Sequence, residues 1–473
     1  MSLVIANNVS SITAQNNLAR SSKSLGKSLE RLSSGLKVNR GADGPAALVI
    51  SEKQRAQIVG IEQAIENANK GVTVVQTAEG ALNEISTLLN RVRGLALDAA
   101  NTGVNDSDAL AANQAEIDNA LDTINRIANN TQFANKKLLD GSAGYNGSST
   151  DADVAAFVRA SSSTAPGSYD VEVTTAATRA NFSATADQTT DLAADEILTI
   201  NSVTVELNAG MSQAEVVNRI NEFSGETGVV AEVDGTTTRL YTKGFGSNAS
   251  LDVVSNTAAA ATSSGIGTGT ASTVFGSDVV GTIDGDTFTG NGNILTANSG
   301  AADGLAVRFA VDPADATSTL TGAASQETIT VTDDRLVFQI GPNANQTASI
   351  AVDRSNPESL GLGVAGNQFN SLAEISVLSG EEANDSIAVI DAAIDEVTNL
   401  RGALGAFQQN TLESTASNLQ TTLENSVAAE SVIRDTDFAS EIANFTKQQV
   451  LVQAGTSILS NANQTSQLVL SLL

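Results

Sequence analysis

The chain has 473 residues, 41% of them hydrophobic, so it is long enough to bury several hydrophobic cores. It contains no Cys and no His, which excludes disulfide bonds, thiol nucleophiles, histidine-based catalytic triads and the zinc-protease helix motif. The formal net charge of −28 would repel phosphate backbones and anionic membranes, so nucleic-acid binding is not expected.

The first residues lack the features of a targeting segment. Residues 1–19 carry no charged side chain, and the apolar run at residues 3–5 is too short for the core of a signal peptide. Nowhere does the chain have as many consecutive apolar residues as a membrane span requires. We therefore predict neither a cleaved signal peptide nor membrane insertion.

Residues 1–40 have the pattern of an amphipathic helix whose polar face is largely uncharged. One apolar stripe contains Ile5, Val9 and Ile12, and a second stripe, shifted by one position, contains Leu18, Leu25, Leu29, Leu32 and Leu36. Asn, Ser, Thr and Gln on the polar face of the first half can hydrogen-bond to other copies when they are buried. A Gly-Ala-Asp-Gly-Pro break at residues 41–45 ends this helix.

The stretch from residue 43 to about residue 98 predicts one long helix. Its apolar residues alternate steps of three and four, which is the heptad pattern of a helix that buries a narrow face against other helices. The seam contains Ile58, Ile61, Ile65, Val72, Val75, Leu82, Ile85 and Leu89. Such a helix is about 80 Å long and needs partners along its whole length. A second heptad run follows and stops near Phe133.

From about residue 142 the composition shifts to Gly, Ala, Ser, Thr and Asp, with alternating strands. We predict a strand through Tyr169, Val171 and Val173, and a hairpin at residues 198–207 with a turn at residues 201–202. The low-complexity residues 255–272 predict a linker, after which a second β-rich unit begins. A further hairpin is predicted within residues 336–352.

The last hundred residues return to helix. One seam contains Ile390, Ile394, Val397 and Leu404. The final segment has Phe438, Phe445, Val452 and Leu459 spaced seven apart, with Ile442 beside the first, and no charged side chain follows Lys447. Both ends of the chain are thus amphipathic helices with few charges, and each adjoins a heptad helix.

This mirrored order predicts that the two termini pack together and that the middle projects as an insertion. The fold class is mainly α: a long, coiled-coil-like helix bundle built from both termini, with an inserted β-rich (α+β) outer region, in a multidomain chain. Because the seam and the termini are long and apolar, we expect neighbouring copies to cover both.

The two ends also carry short motifs that together resemble bacterial flagellin. They are LSSGLKVN at residues 32–39, ALVISEKQ at residues 47–54, Arg91-Val92-Arg93 with Leu95, QAEI at residues 114–117, TQF at residues 131–133, IRDTDFA at residues 433–439 and the tail from Gln448. The resemblance covers about the first 140 and the last 95 residues. It implies a secreted subunit that polymerises into the flagellar filament and serves swimming motility.

The resemblance also implies a domain organisation. Residues 1–42 and 432–473 would form an inner-tube helical domain, 43–141 and 336–431 a wall domain, 142–270 an outer β-rich domain, and 271–335 a second outer β-rich unit. The segment at residues 198–201 and the helix after it resemble small β-rich units shared by flagellins, hook-associated proteins and filament-cap proteins.

The implied partners are other copies of the chain, an export chaperone, the type III export apparatus, the filament cap and hook-associated proteins. Arg91, Leu95 and Glu116 match positions of a surface that a vertebrate Toll-like receptor recognises in the family. The subunit would be extracellular, in the filament.

Alternatives to the filament subunit are a hook–filament junction protein, which shares both termini, and a secreted adhesive module carried on the filament. We predict no enzyme, catalytic site, metal site or cofactor. The acidic pairs Asp284 with Asp286 and Asp333 with Asp334 are typical of exposed turns in an acidic protein.

Overall fold

The computed structural model of the chain describes residues 8–101, 103–269 and 273–471, with side chains of the last helix described up to residue 464. The chain divides into two compact units, which we describe separately. The first takes the chain up to Asn69, the segment Gln339–Thr347 and the chain from Leu412 onward. The second consists of Lys70–Phe338 and Ala348–Thr411.

Long helices occupy both ends of the described chain, as the sequence predicts. Their bounds are α1 Val9–Ser34, α2 Pro45–Ala99, α3 Ser107–Asn130, α4 Gln213–Glu222, α5 Ser224–Thr227, α6 Gly380–Ala406, α7 Ser414–Arg434 and α8 Phe438–Ser471. A π-helical stretch, Phe407–Glu413, joins α6 to α7, and the heptad pattern gave no sign of it.

The ends of the terminal helices follow from local chemistry. The Asn8 side chain accepts a hydrogen bond from the backbone N–H of Ser11 and caps α1. Gly35 ends α1 with a left-handed φ of 72°, a conformation that glycine adopts without a steric penalty. Pro45 begins α2, because its missing N–H would lack a helical partner at that position anyway. The predicted start of the second helix at residues 43–45 is confirmed, but α1 ends at Ser34 and not at the break at residues 41–45, because Gly35 takes the left-handed conformation first.

In the first unit, the beginning of α2 packs against α7. Ile61 and Ala64 are buried together with Leu419, and Ile65 and Leu423 pack at the edge of this cluster. Near the other end of the contact, Arg434 and Glu52 form an ion pair at 3.0 Å. The N-terminal and C-terminal heptad helices therefore bury their seams against each other.

In the second unit, the remainder of α2 lies beside α3 and α6. The fully buried side chains here are Val75, Leu82, Ile85, Leu89 and Val92 of α2, Ile117 and Ile124 of α3, and Ile390, Val397 and Leu404 of α6. Arg93 of α2 binds Asp391 of α6 through two hydrogen bonds of 2.5 and 3.2 Å. The carboxylate of Asp391 raises the pKa of Arg93.

The middle of the chain is β-rich, as predicted. The strands are β1 Gln132–Phe133, β2 Lys136–Lys137, β3 Tyr145–Ser149, β4 Ala155–Arg159, β5 Gly167–Thr175, β6 Asn181–Ser183, β7 Glu196–Ile200, β8 Val203–Leu207, β9 Val229–Asp234, β10 Thr237–Thr242, β11 Ser250–Leu251, β12 Val253–Ser255, β13 Val274–Phe275, β14 Val280–Ile283, β15 Asp286–Thr289, β16 Ile294–Thr296, β17 Ala306–Phe309, β18 Val311–Asp312, β19 Asp315–Thr319, β20 Glu327–Asp333, β21 Leu336–Gln339 and β22 Thr347–Ile350.

A five-stranded antiparallel sheet, in the order β15-β14-β5-β20-β3, organises the outer part of the second unit. Tyr169, Val171 and Val173 of β5 alternate inward as predicted and pack with residues such as Phe309 and Ile329 in one core. This core combines residues 155–177 with residues 279–331, with Phe245 added from between them.

A second core is formed by residues 180–266, between the two halves of the first. The predicted hairpin β7–β8 lies here, with Asn201 and Ser202 at positive φ in its turn. The Ser212–Glu215 capping box opens α4, which buries Val216 and Ile220 against the strands.

The predicted boundary at residue 270 does not match this arrangement. Strand β5, assigned to the region before that boundary, pairs with both β14 and β20, which lie after it. Two consecutive units were predicted because a sequence is read in order. The strand pairing shows instead that the residues of the second core are inserted in the chain between the two halves of the first core.

The prediction of a linker at residues 255–272 is also wrong for the residues that are described. Ile266 is buried in the second core, and the buried carboxylate of Glu196 accepts hydrogen bonds from the hydroxyl of Ser255 and from the backbone and hydroxyl of Ser264. Small polar residues can thus form part of a core when a buried carboxylate accepts their hydrogen bonds. The low-complexity composition of this stretch gives no sign of those bonds.

Candidate self-assembly surface

The two terminal helices α1 and α8 pack antiparallel. At one end, the amide of Asn8 donates to the carbonyl of Ala462 at 3.0 Å, and the hydroxyl of Ser11 bonds to Asn463 at 2.8 Å. At the other end, Arg31 contacts Glu441 at 3.4 Å. The predicted pairing of the two chain termini is therefore confirmed.

The apolar and hydroxyl side chains that this pair buries are small, and Glu441 of α8, the ion-pair partner of Arg31, is buried with them. The buried residues of α1 are Ser11, Ala14 and Ser28. On α8, a side-chain carbon added at Gly455 would lie 3.3 Å from a methyl of Leu18. Small residues allow the helices to approach closely, so that large apolar side chains such as Leu18 reach the contact but are only half-buried in it.

Most of the predicted terminal residues lie partly or largely outside the contact. Val9 and Ile12 of α1 and Phe438 and Ile442 of α8 are each more than half exposed. Leu25, Leu32, Phe445, Val452 and Leu459 are half-buried. Ile5 lies outside the described residues. A single copy therefore leaves large apolar side chains uncovered near both ends of the helix pair.

Leu29, on the predicted second stripe of α1, is also more than half exposed. Sequence reasoning missed three exposed apolar residues of α8, namely Val450, Leu451 and Ile458. The signal was present in the sequence, because apolar residues surround the helix axis after Lys447. Following a single stripe with a spacing of seven overlooked the others.

The junction between the terminal helices and the heptad helices is fixed by backbone hydrogen bonds. The N–H of Lys37 donates to the carbonyl of Arg434 at 2.7 Å, and the N–H of Thr436 donates to the carbonyl of Gly35 at 2.9 Å. Both segments lie in the motifs that resemble flagellin, at residues 32–39 and 433–439. These motifs therefore pair with each other.

The seam residues behave differently from the terminal ones. Ile61, Val75, Leu82, Ile85, Leu89, Ile390, Val397 and Leu404 are buried, and Ile58, Ile65, Val72 and Ile394 are half-buried. The expectation that neighbouring copies cover this seam is wrong, because helices of the same chain already do so. Among the described residues, the terminal helices leave large apolar side chains exposed, and Val49, Ile50 and Val59 of α2 are exposed as well.

The three residues of the predicted receptor surface lie close together on α2 and α3. The guanidinium of Arg91 donates to the carboxylate of Glu116 at 2.7 Å, and Leu95 follows Arg91 by one helical turn. Arg91 is exposed, whereas Leu95 and Glu116 are partly exposed.

Known families match both ends of the chain. The bacterial flagellin N-terminal helical region matches residues 5–144, and the bacterial flagellin C-terminal helical region matches residues 387–473. Over its whole length the chain is 31% identical to the flagellin of Salmonella rubislaw, and the alignment covers all of both proteins. The chain belongs to the bacterial flagellin family.

Other flagellins match to the same extent. This flagellin is 32% identical to the flagellin of Salmonella typhimurium and 32% identical to the B-type flagellin of Pseudomonas aeruginosa, with full coverage of both chains in each case. It is therefore a structural subunit of the flagellar filament, the extracellular part of the flagellum, and it polymerises with other copies of itself. Among the described helices, none has the length and apolarity needed to cross a membrane.

Proposed function

We propose that the outward faces of α1 and α8 are the surface through which copies of this flagellin polymerise. One observation carries the proposal: the pair packs small residues inside and leaves Val9, Ile12, Ile442 and Val450 more than half exposed. Contact between water and these apolar side chains is unfavourable, and packing against further copies would exclude the water. The family membership makes another copy the natural partner.

The first test is electron microscopy of the purified chain and of a chain truncated after Lys447. We expect filaments from the full chain and none from the truncated one, which lacks the uncharged tail. Filaments from the truncated chain would contradict the proposal.

A point variant with a matched control tests whether polymerisation depends on this surface in particular or on any exposed apolar side chain. Val450→Ser removes an exposed apolar side chain from α8, and Val233→Ser removes one of similar exposure from the tip of the β9–β10 hairpin. We expect Val450→Ser to raise the protein concentration needed for polymerisation and Val233→Ser to leave it unchanged. Equal effects of the two substitutions would contradict the assignment.

The same terminal helices suit contacts with the hook-associated proteins below the filament and with the filament cap above it, because both must bind the end of a polymer of this subunit. A chain whose tail lacks charge also suits capture by an export chaperone and delivery to the type III export apparatus. Mass spectrometry of subunits taken from filaments tests export without a cleaved signal peptide, since a shortened N-terminus would contradict it.

We further propose Arg91, Leu95 and Glu116 as a surface for a host Toll-like receptor. The ion pair between Arg91 and Glu116 holds the two charged side chains at a defined place on the α2–α3 face. A receptor reporter assay on monomeric protein would show a reduced response for Arg91→Ala. An unchanged response would remove Arg91 from the surface.

A further inference from the structure

The second unit contains a cavity that the filament function does not use. It has a volume of about 510 Å³ and lies between the start of the outer sheet, the return segment after β22 and α6. Phe157, Leu360 and Leu400 provide apolar wall. This volume and this mixture of apolar wall with a few charged groups are typical of sites for small molecules.

Two of the charged groups in the cavity are already paired. Arg159 and Glu396 form an ion pair at 2.7 Å. The second carboxylate oxygen of Glu396 accepts a hydrogen bond from the N–H of Gly361 at 3.0 Å. These two side chains therefore balance each other and need no ligand.

The other two charged groups, Asp353 and Arg354, are not paired. Among the described residues, the carboxylate of Asp353 accepts no hydrogen bond and forms no ion pair. Arg354 donates from Nε to the carbonyl of Asp140 at 3.0 Å, but no described carboxylate pairs with its charge. Asp353 is exposed at the edge of the cavity and Arg354 is half-buried. The protein around the Asp353 carboxylate displaces part of its water and so raises its pKa, and the positive charge of Arg159 offsets this only in part.

The backbone holds these two side chains in place. The N–H of Val352 donates to Ala143 and the N–H of Ser355 donates to Leu139, each at 3.0 Å. The hydroxyl of Ser359 donates to the carbonyl of Arg354 at 3.1 Å. The backbone of the segment that carries the two charges is thus fixed on both sides, so binding orders only their side chains and not the segment itself.

Two opposite charges in one cavity, each without a partner, match a ligand that carries both charges. We propose that this cavity binds a zwitterionic small molecule with an apolar side chain, of the class of apolar α-amino acids. Asp353 binds its ammonium group, Arg354 binds its carboxylate, and Phe157, Leu360 and Leu400 contact its side chain. Charged hydrogen bonds in a partly desolvated site are strong enough to orient such a ligand.

The test is isothermal titration calorimetry on the full-length monomer with three probes. L-Leucine carries both charges, L-leucinamide carries only the ammonium, and isocaproate carries only the carboxylate. We expect saturable binding of one L-leucine per chain and at least about tenfold weaker binding of either analogue, since each lacks one charged hydrogen bond. No saturation with L-leucine, or equal affinity for isocaproate, would overturn the proposal.

Variants test the assignment of the ammonium to Asp353. Asp353→Asn should weaken L-leucine binding about tenfold and leave isocaproate binding unchanged. The matched control is Glu358→Gln, which removes one negative charge from an exposed position on the same segment, outside the cavity wall. Equal loss of L-leucine binding in the two variants would refute a specific role for Asp353. The comparison of the three probes on the unmodified chain remains decisive if a variant does not fold.

Discussion

Truncating one seam residue of α2 should destabilise the second unit strongly. Leu82 is completely buried. Leu82→Ala removes three carbons from the core, which costs about 2.4 kcal/mol at about 0.8 kcal/mol per buried carbon. The cavity that remains raises the expected loss to about 3–5 kcal/mol, because helices packed on several sides relax only partly into the space.

The matched control is Leu97→Ala on the same helix, since Leu97 is 47% exposed. Only about half of the removed apolar surface is buried and no closed cavity forms, so we expect the unfolding free energy to fall by about 1 kcal/mol. Guanidinium unfolding of the monomeric variants, followed by far-UV circular dichroism, measures both. Equal losses for Leu82→Ala and Leu97→Ala would refute the conclusion that the chain buries its own seam.

Two further predictions concern the outer region and the start of α6. Gly276→Ala should destabilise the protein by about 1–3 kcal/mol in thermal unfolding, because its new side-chain carbon would lie 2.2 Å from the carbonyl of Thr178. Burial raises the pKa of Glu382 above its ordinary value, while the hydroxyl of Ser376 partly offsets this. The folded state then binds this proton more tightly than the unfolded state, so stability falls as the pH rises from 4.5 through the raised pKa. Glu382→Gln removes that dependence, so the variant should gain stability relative to the unmodified chain over this pH interval.

Each of these predictions has its own check. Gly167→Ala is the control for Gly276→Ala, because no atom lies near the added carbon, and it should change stability by no more than about 0.5 kcal/mol. For Glu382→Gln, the difference in unfolding free energy between variant and unmodified chain is measured across the pH interval. A difference that does not vary with pH would mean that Glu382 does not titrate in this interval.

The helical ends could be predicted from the sequence because a heptad pattern and its breaks are local signals. The spacing of Ile61, Leu82 and Leu89 identified a buried face, and Pro45 marked where α2 begins. Gly35, which ends α1, was not recognised, because the first helix was predicted to continue to residue 40. Which helices cover that face is not a local property. The mirrored order predicted partners at the far end of the same chain, where α6 and α7 lie. The sequence could not show that these helices and α3 cover the face so completely, and we had expected other copies to contribute.

The outer region was predicted strand by strand but not in its arrangement. The turns at residues 201–202 and 284–285 are local and were recognised. The pairing of β5 with β14 joins residues about a hundred positions apart, and no local pattern contains that information. The hydrogen bonds of Ser264 to Glu196 likewise link a low-complexity stretch to a distant acid.

The candidate assembly surface was predicted less well than the helical ends and better than the arrangement of the outer strands. The low charge of the terminal helices could be recognised from the composition. Of the predicted residues that are described, however, most are half-buried rather than exposed. The exposed Val450, Leu451 and Ile458 were overlooked because helix orientation depends on small residues such as Ala14 and Gly455 at the contact, which hydrophobic patterns do not register.

The second core begins and ends at neighbouring points of the chain. The backbone N–H groups of Thr178 and Ser277 donate to each other's carbonyls at 2.9 and 3.1 Å, so the chain leaves the outer sheet and returns to it within one hydrogen-bonded pair. Exchanging the residues between them for a short turn, or for a foreign domain whose ends lie equally close, keeps the ends of β5 and β14 together but removes Phe245 from the first core. The position offers a graft site on the subunit that is independent of both terminal helices.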